Sequence, residues 1–182
     1  MPPQVLSSRP VFQGKVFSVR QDRIRLASGK EAQLDVIDHP ASVTIIPSDG
    51  HGGIWFVRQY RHAAAGELLE LPAGTLNPGE EPIACARREC REEVGMSPGR
   101  LTLIGECWLV PGYATEYMYF YLAEDLSQSP LAPDEDEEIQ PVRMTLDEAR
   151  GLASRGEIRD AKTLVGIFLL LNRGPRNLEP LA

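Results

Sequence analysis

The chain has 182 residues, three cysteines and a formal net charge of −7 at neutral pH, with 42% hydrophobic and 25% charged residues, ordinary proportions for one soluble globular domain with a full core. The acidity argues against a general nucleic-acid binder, which needs a basic face, and the longest apolar tract, Leu164 to Leu171, is too short to span a bilayer. The N-terminus lacks the apolar centre of a secretory signal, and Cys85, Cys90 and Cys107 have no zinc-like pairing, so the expected location is a reducing cytoplasm.

Residues 11–38 alternate apolar and polar types around a turn at 27–30, which predicts a hairpin or meander. Pro40 interrupts the pattern. A short apolar strand follows at 42–46, then a turn at 47–53 and a second strand at 54–60. Leu68 to Leu71 leads into the segment Gly74 to Met96, whose second half reads as a helix. Pro82 suits its first turn and Gly95 its C-terminal cap, while Ile83, Ala86, Cys90 and Val94 make an apolar stripe. Cys85 and Cys90, five apart on this helix, are expected to face different ways. Strands are expected at 101–109 and 117–122, separated by a Pro-Gly-Tyr loop, followed by a polar loop at 127–138 that ends in DEDEE. A short strand at 141–144, a helix at 146–155 and a last helix capped by Asp160 and running to Asn172 complete the chain before a frayed tail. Strands flanking a few helices in mixed order suggest an α/β sandwich rather than a doubly wound series.

The chemistry concentrates in the helix of the 74–96 segment. Glu89, Glu92 and Glu93 fall on one side of a 3.6-residue helix. Alone, such a patch reads as a solvated face paired with Arg87, Arg88 and Arg91. Crowded carboxylates repel, however, and a hard divalent cation with oxygen ligands converts that cost into a binding site. Arg88 offers a planar fork that could tie the preceding loop to the helix through Glu80. His39, His51 and His62 are isolated, and no Ser/His/Asp or Cys/His arrangement points to covalent catalysis. Trp55 and Trp108 read as core aromatics, with stacking on a nucleobase as the other reading.

Gly74, Glu80, Arg88, Glu89, Cys90, Glu92, Glu93, Gly95 and Met96 together resemble the Nudix box, G-x5-E-x7-R-E-U-x-E-E-x-G-U, with Cys90 as the one soft departure at an aliphatic position. Further stretches resemble the ADP-ribose pyrophosphatase branch of that family: Val57 to Arg61, Leu69 to Gly74, and Pro111 to Glu116, whose proline lies fifteen residues past Met96. The resemblance implies a Nudix-type α/β/α sandwich with a mixed sheet. Within one domain it implies N-terminal strands over 1–40 for dimerisation, a catalytic core over 41–172 and a tail over 173–182.

It also implies roles. Glu89, Glu92, Glu93 and the backbone carbonyl of Ala73 would ligate Mg²⁺, which Mn²⁺ could replace, and Arg88 would serve the catalytic centre by orienting these ligands. Arg61 and Arg58 would bind the substrate's phosphates, though both could simply punctuate a strand edge. Glu116 would contact a ribose or position the reacting phosphate. The acidic run at 134–138, otherwise a solvated loop, resembles the loop that supplies the general base, with Glu137 and Glu135 as candidates and Glu138 behind them. The implied reaction is Mg²⁺-dependent hydrolysis of ADP-ribose to AMP and ribose 5-phosphate by a homodimer that binds neither nucleic acid nor membrane. The alternatives are another nucleoside diphosphate substrate, such as a sugar nucleotide or a dinucleoside polyphosphate, and a non-catalytic ADP-ribose sensor. Intact box carboxylates and the lack of room for a second domain weigh against the sensor.

Overall fold

A computed structural model describes residues 2–132 and 138–173. They form ten strands and three α-helices, grouped in two compact units.

The first unit holds the N-terminal residues through Ala41 together with Cys107–Met118, a stretch that the sequence assigns to the core. Its sheet is an antiparallel meander of β1 (Gln4–Gln13), β2 (Ser18–Arg25) and β3 (Glu31–Asp38). The predicted turn at 27–30 is present, with Gly29 at φ +83°. β1 begins at Gln4, upstream of the alternation visible from residue 11. Its first half is held by backbone pairing with β2 rather than by an apolar face, so patterning did not reveal it. Ion pairs such as Arg23–Glu31 and Arg25–Glu31 cross between β2 and β3. The 107–118 stretch is pinned to β3: Ile37 N–H donates to Tyr113 O and Thr115 N–H to Ile37 O. Trp108, expected in a core, is half exposed and stacks edge-on against Tyr117, because it stands at the end of its strand rather than in its middle.

The second unit contains a four-stranded sheet in the order β7 (Ala73–Thr75), β4 (Ser42–Pro47), β9 (Tyr117–Gln128), β8 (Met96–Trp108). A second sheet runs β10 (Ile139–Thr145), β5 (Gly53–Arg61), β6 (Gly66–Glu70), all antiparallel. Alternation along the strands explains the layers. Val43 and Ile45 of β4, with Tyr121 and Ala123 of β9, pack on Cys85, Ala86, Cys90 and Val94 of α1 (Pro82–Glu93). The next positions, Ile46 and Phe120, point to the other face, where Gly166 of α3 (Ala161–Leu171) meets them and Leu71. The sheet is thus sandwiched between helices. α2 (Leu146–Ser154) starts at a capping box in which Thr145 and Glu148 satisfy each other's backbone N–H.

The apolar stripe of α1 differs from expectation. Ile83 is exposed, and Cys85 occupies the buried position instead; Cys85 and Cys90 are both fully enclosed. Five residues on a helix span only about 140°. A helix sunk this deeply buries a face wide enough to take both thiols, and burial pushes each of them up to about 12.

Candidate active site

The loop 74–80 and helix α1 form one clamped unit. Gly79 adopts φ +77°, which turns the chain back toward the helix. Pro82 then enters at the first helical position, where no backbone donor is lost. Arg88, one and a half turns further on, grips Glu80 with both edges of its fork: Nε donates to Oε1 and Nη2 to Oε2, each at 3.0 Å. Its Nη1 donates to Glu89 Oε1 at 2.5 Å and Glu92 Oε2 at 2.9 Å, and Nη2 also reaches Thr75 O at 3.3 Å. The hydrogen bond from Arg88 holds the Glu80 carboxyl below its ordinary value, while Glu80 and its neighbours push the guanidinium's own pKa up. Glu93 sits beside the entry strand, where its Oε2 accepts from Ala73 N–H at 3.2 Å. Gly74 lies so close to Glu89 that an added Cβ would fall 1.9 Å from Oε1. A bare backbone is required there for contact, not for a special φ.

A second charged cluster lies in the same unit. Arg61, the last paired residue of β5, donates from Nε and Nη2 to Glu70 Oε1 and Oε2 at 2.9 and 2.8 Å. Lys162, in the first turn of α3, also donates to Glu70 Oε2 and lies 3.1 Å from Asp160 Oδ1. Asp160 caps α3 by accepting from Thr163 N–H and Oγ1–H, and Thr163 Oγ1 in turn accepts from Leu71 N–H at 2.7 Å. Burial drives the Glu70 carboxyl upward, but the Arg61 hydrogen bonds and the Lys162 charge outweigh it, so its pKa lies below the ordinary value. Arg61 is raised, first by its bonds to Glu70, with Glu93 and Asp160 adding their charge.

A buried acid-bearing helix N-linked to a glycine loop, on this sandwich, is matched by a known family model. The NUDIX domain model covers residues 38–165, well over half the chain. The chain belongs to the NUDIX family. A second model, the nucleoside diphosphate sugar hydrolase N-terminal domain, covers residues 4–33. Among NUDIX relatives, the ADP-ribose pyrophosphatase of Bacillus subtilis is 34% identical over 92% of this chain and 91% of its own length. The GDP-mannose pyrophosphatase of Citrobacter koseri is 38% identical over 64% of this chain and 63% of its own length. A solved structure described as an ADP compounds hydrolase superposes with a TM-score of 0.84 at 25% identity, covering 94% of this chain and 93% of the other.

Among the described residues of this NUDIX protein, no three Asp, Glu, His or Cys side chains already converge as a metal cage. Arg88 bridges Glu89 and Glu92 instead. The donors nevertheless fit Mg²⁺ or Mn²⁺: they are three hard carboxylates on one helix, two of them buried, with Glu93 against Ala73 and Glu89 against Gly74. Arg58 is exposed on β5, whereas Arg61 is tied to Glu70. Glu116 belongs to the first unit, where its Oε1 lies 4.0 Å from His39 Nδ1. Glu135 and Glu137 lie outside the described residues, and Glu138 is exposed just ahead of β10. Sequence reasoning missed Glu70 and Lys162. The available signal was an acidic residue flanked by Leu69 and Leu71, which demands a buried cation if its neighbours are core.

Proposed function

We infer that this NUDIX protein is a Mg²⁺-dependent ADP-ribose pyrophosphatase that cleaves the diphosphate to give AMP and ribose 5-phosphate. The carrying observation is the two-edged Arg88–Glu80 clamp, which locks the glycine loop to the helix that presents Glu89, Glu92 and Glu93. The name of the B. subtilis relative, matched along nearly all of both chains, supports the ADP-ribose assignment. The match of residues 4–33 to a nucleoside diphosphate sugar hydrolase model agrees with it.

Glu89, Glu92, Glu93 and the Ala73 carbonyl would hold the ion. When bound, it supplies positive charge against the diphosphate and makes water easier to deprotonate. The remaining work falls to side chains. Arg88 holds two of the carboxylates by one oxygen each and so restricts their orientation on the helix. Arg61 turns positive charge toward the phosphates and opposes the charge that grows on their non-attacked oxygens, while Arg58, on the other face of β5, is the second phosphate-binding candidate. A loop glutamate, Glu137 or Glu135, removes the proton from the attacking water, and Glu116 contacts ribose or phosphate. The active species is a homodimer joined through the N-terminal strands. It works in the cytoplasm, in keeping with free, buried Cys85 and Cys90; no helix among the described residues is long and apolar enough to cross a membrane.

The test is AMP release from ADP-ribose with Mg²⁺ and with EDTA. Turnover that EDTA abolishes supports the reading, as does its loss in Glu93→Gln with the fold retained. For the base, Glu137→Gln or Glu135→Gln should lower kcat far more than it weakens binding. The relative named GDP-mannose pyrophosphatase favours one second reading, a sugar nucleotide substrate. GDP-mannose turned over faster than ADP-ribose would select it, and ADP-ribose binding without turnover would select a sensor.

A further inference from the structure

Arg61 and Glu70 meet by an unusual route. In the β5–β6 hairpin Arg61 pairs with Gly66, whereas Glu70 pairs with Val57, so the two share a face but stand four residues apart along it. Gly66 leaves the space opposite Arg61 open, and the arginine lies back along the hairpin to reach the carboxylate. The bidentate contact uses Nε and one hydrogen of Nη2. Nη1 and the second Nη2 hydrogen lie on the opposite edge of the guanidinium from this contact, and the side chain as a whole is 41% exposed. Glu70 is 1% exposed, and its Oε2 is shared with Lys162, which is itself buried.

Buried ion clusters are a poor route to stability, since apolar replacements of similar volume do as well or better. This one also has a charge balance that matters for an anionic ligand. Arg61 paired with Glu70 alone is neutral. Lys162 offsets the Glu70 charge from the other side, which leaves more of Arg61's positive charge for something else. Asp160, at the helix cap, pairs with Lys162 and brings these four groups to zero net charge. Without Lys162, Arg61 would face Glu70 and Asp160, with Glu93 adding its charge, beside an arriving diphosphate.

We propose that Glu70 and Lys162 are positioning residues with separable tasks: Glu70 aims the guanidinium of Arg61 at the substrate diphosphate, and Lys162 neutralises Glu70 so that Arg61 retains charge for that anion. The inference rests on the pyrophosphatase reading for its substrate. The two roles affect different kinetic constants. Lys162→Met should raise KM for ADP-ribose about tenfold with kcat within twofold, the order expected of one unit charge removed several ångströms from an anion. Glu70→Gln should lower kcat about tenfold without raising KM, because aim is lost while positive charge is kept. Lys162→Arg should restore KM. The double variant Glu70→Gln/Lys162→Met should bind better than Lys162→Met alone, since the second change removes the uncancelled carboxylate. A purely structural cluster shows such relief in melting temperature alone, without the opposite movements of KM and kcat.

Calorimetric titration of ADP in Mg²⁺ buffer, on wild type and all four variants, provides a readout independent of turnover, and melting temperatures separate folding losses. Lys162→Gln substitutes if the methionine variant does not fold. Weaker ADP binding by Lys162→Met that the double variant relieves supports the proposal, even if wild type hydrolyses neither ADP-ribose nor GDP-mannose, in which case only the pyrophosphatase reading fails. An active wild type whose Lys162→Met variant keeps its KM and its ADP affinity overturns the proposal alone. So does a set of variants that differ only in melting temperature. A wild type that neither turns over substrate nor binds ADP overturns both.

Discussion

Gly74 shows how a single missing side chain sets the site. An alanine Cβ at this position would come within 1.9 Å of Glu89 Oε1 and 2.0 Å of its Cδ, so the carboxylate must leave its place. Gly74→Ala should therefore lower kcat/KM tenfold or more while costing only about 1–3 kcal/mol of stability, as overpacking usually does; steady-state kinetics and a denaturant titration would check both. That requirement was hidden in the sequence, where the residue reads as a turn glycine, because the close approach is tertiary. The Glu80–Arg88 pair, by contrast, was legible, since only one fork geometry joins a loop acid to an arginine two turns into a helix. Its pKa consequence has a definite sign. Arg88 lowers the folded-state pKa of Glu80 below the ordinary 4.5, so the stability it contributes is full above that value and is lost as pH falls through the lowered one. In urea titrations at several pH values, Glu80→Gln should be less stable than wild type at pH 7, and the gap should narrow as pH falls below 4.5.

At the scale of elements, the helices were easiest to place, because their ends carry local chemistry. Pro82 and Gly95 bracket α1, Asp160 caps α3, and the end of α2 falls within a residue of expectation. The α1 stripe was misassigned at Ile83. Periodicity alone cannot say how deep a helix sinks, and here the buried arc is wide enough to enclose Cys85, Glu89, Cys90 and Glu93 together. Strand β6 and the short β7 were read only as a lead into the box, since neither alternates over enough residues to stand out. The Arg61–Glu70–Lys162 cluster was illegible for another reason: Lys162 lies 92 residues from its carboxylate, and no local pattern couples them. Capping makes a clean test of an element without chemistry. Thr145 accepts from Glu148 N–H, and Glu148 accepts from Thr145 N–H and Oγ1–H, at the surface start of α2. Thr145→Ala should cost about 1 kcal/mol in chemical denaturation and leave kcat/KM unchanged.

For the whole molecule, the informative residues are the apolar ones left in water. Along β1 no residue is buried, and Val5, Val11 and Phe12 are each about half exposed or more; Val16, Phe17 and Leu34 of the same unit are also open. Phe12 and Phe17 lie with ring centroids 6.1 Å apart, and both remain substantially exposed. Single exposed apolar side chains are commonplace and occur elsewhere in the chain too, but several on and beside one three-stranded sheet are how a protein surface marks a partner. The charged rows between β2 and β3, such as Arg23–Glu31, already satisfy each other within the sheet, so the partner has to be met by the apolar positions. A second copy of the chain suits this, because an isologous interface lets one apolar strand cover its own symmetry mate. Sedimentation equilibrium at micromolar concentration should give twice the 20.1 kDa chain mass. Phe12→Asp together with Val11→Asp should shift that value toward one chain, since burying two carboxylates in an apolar seam costs more than the seam returns. If the doubly charged variant still sediments as a dimer, or if wild type sediments as one chain, these strands do not form the joint.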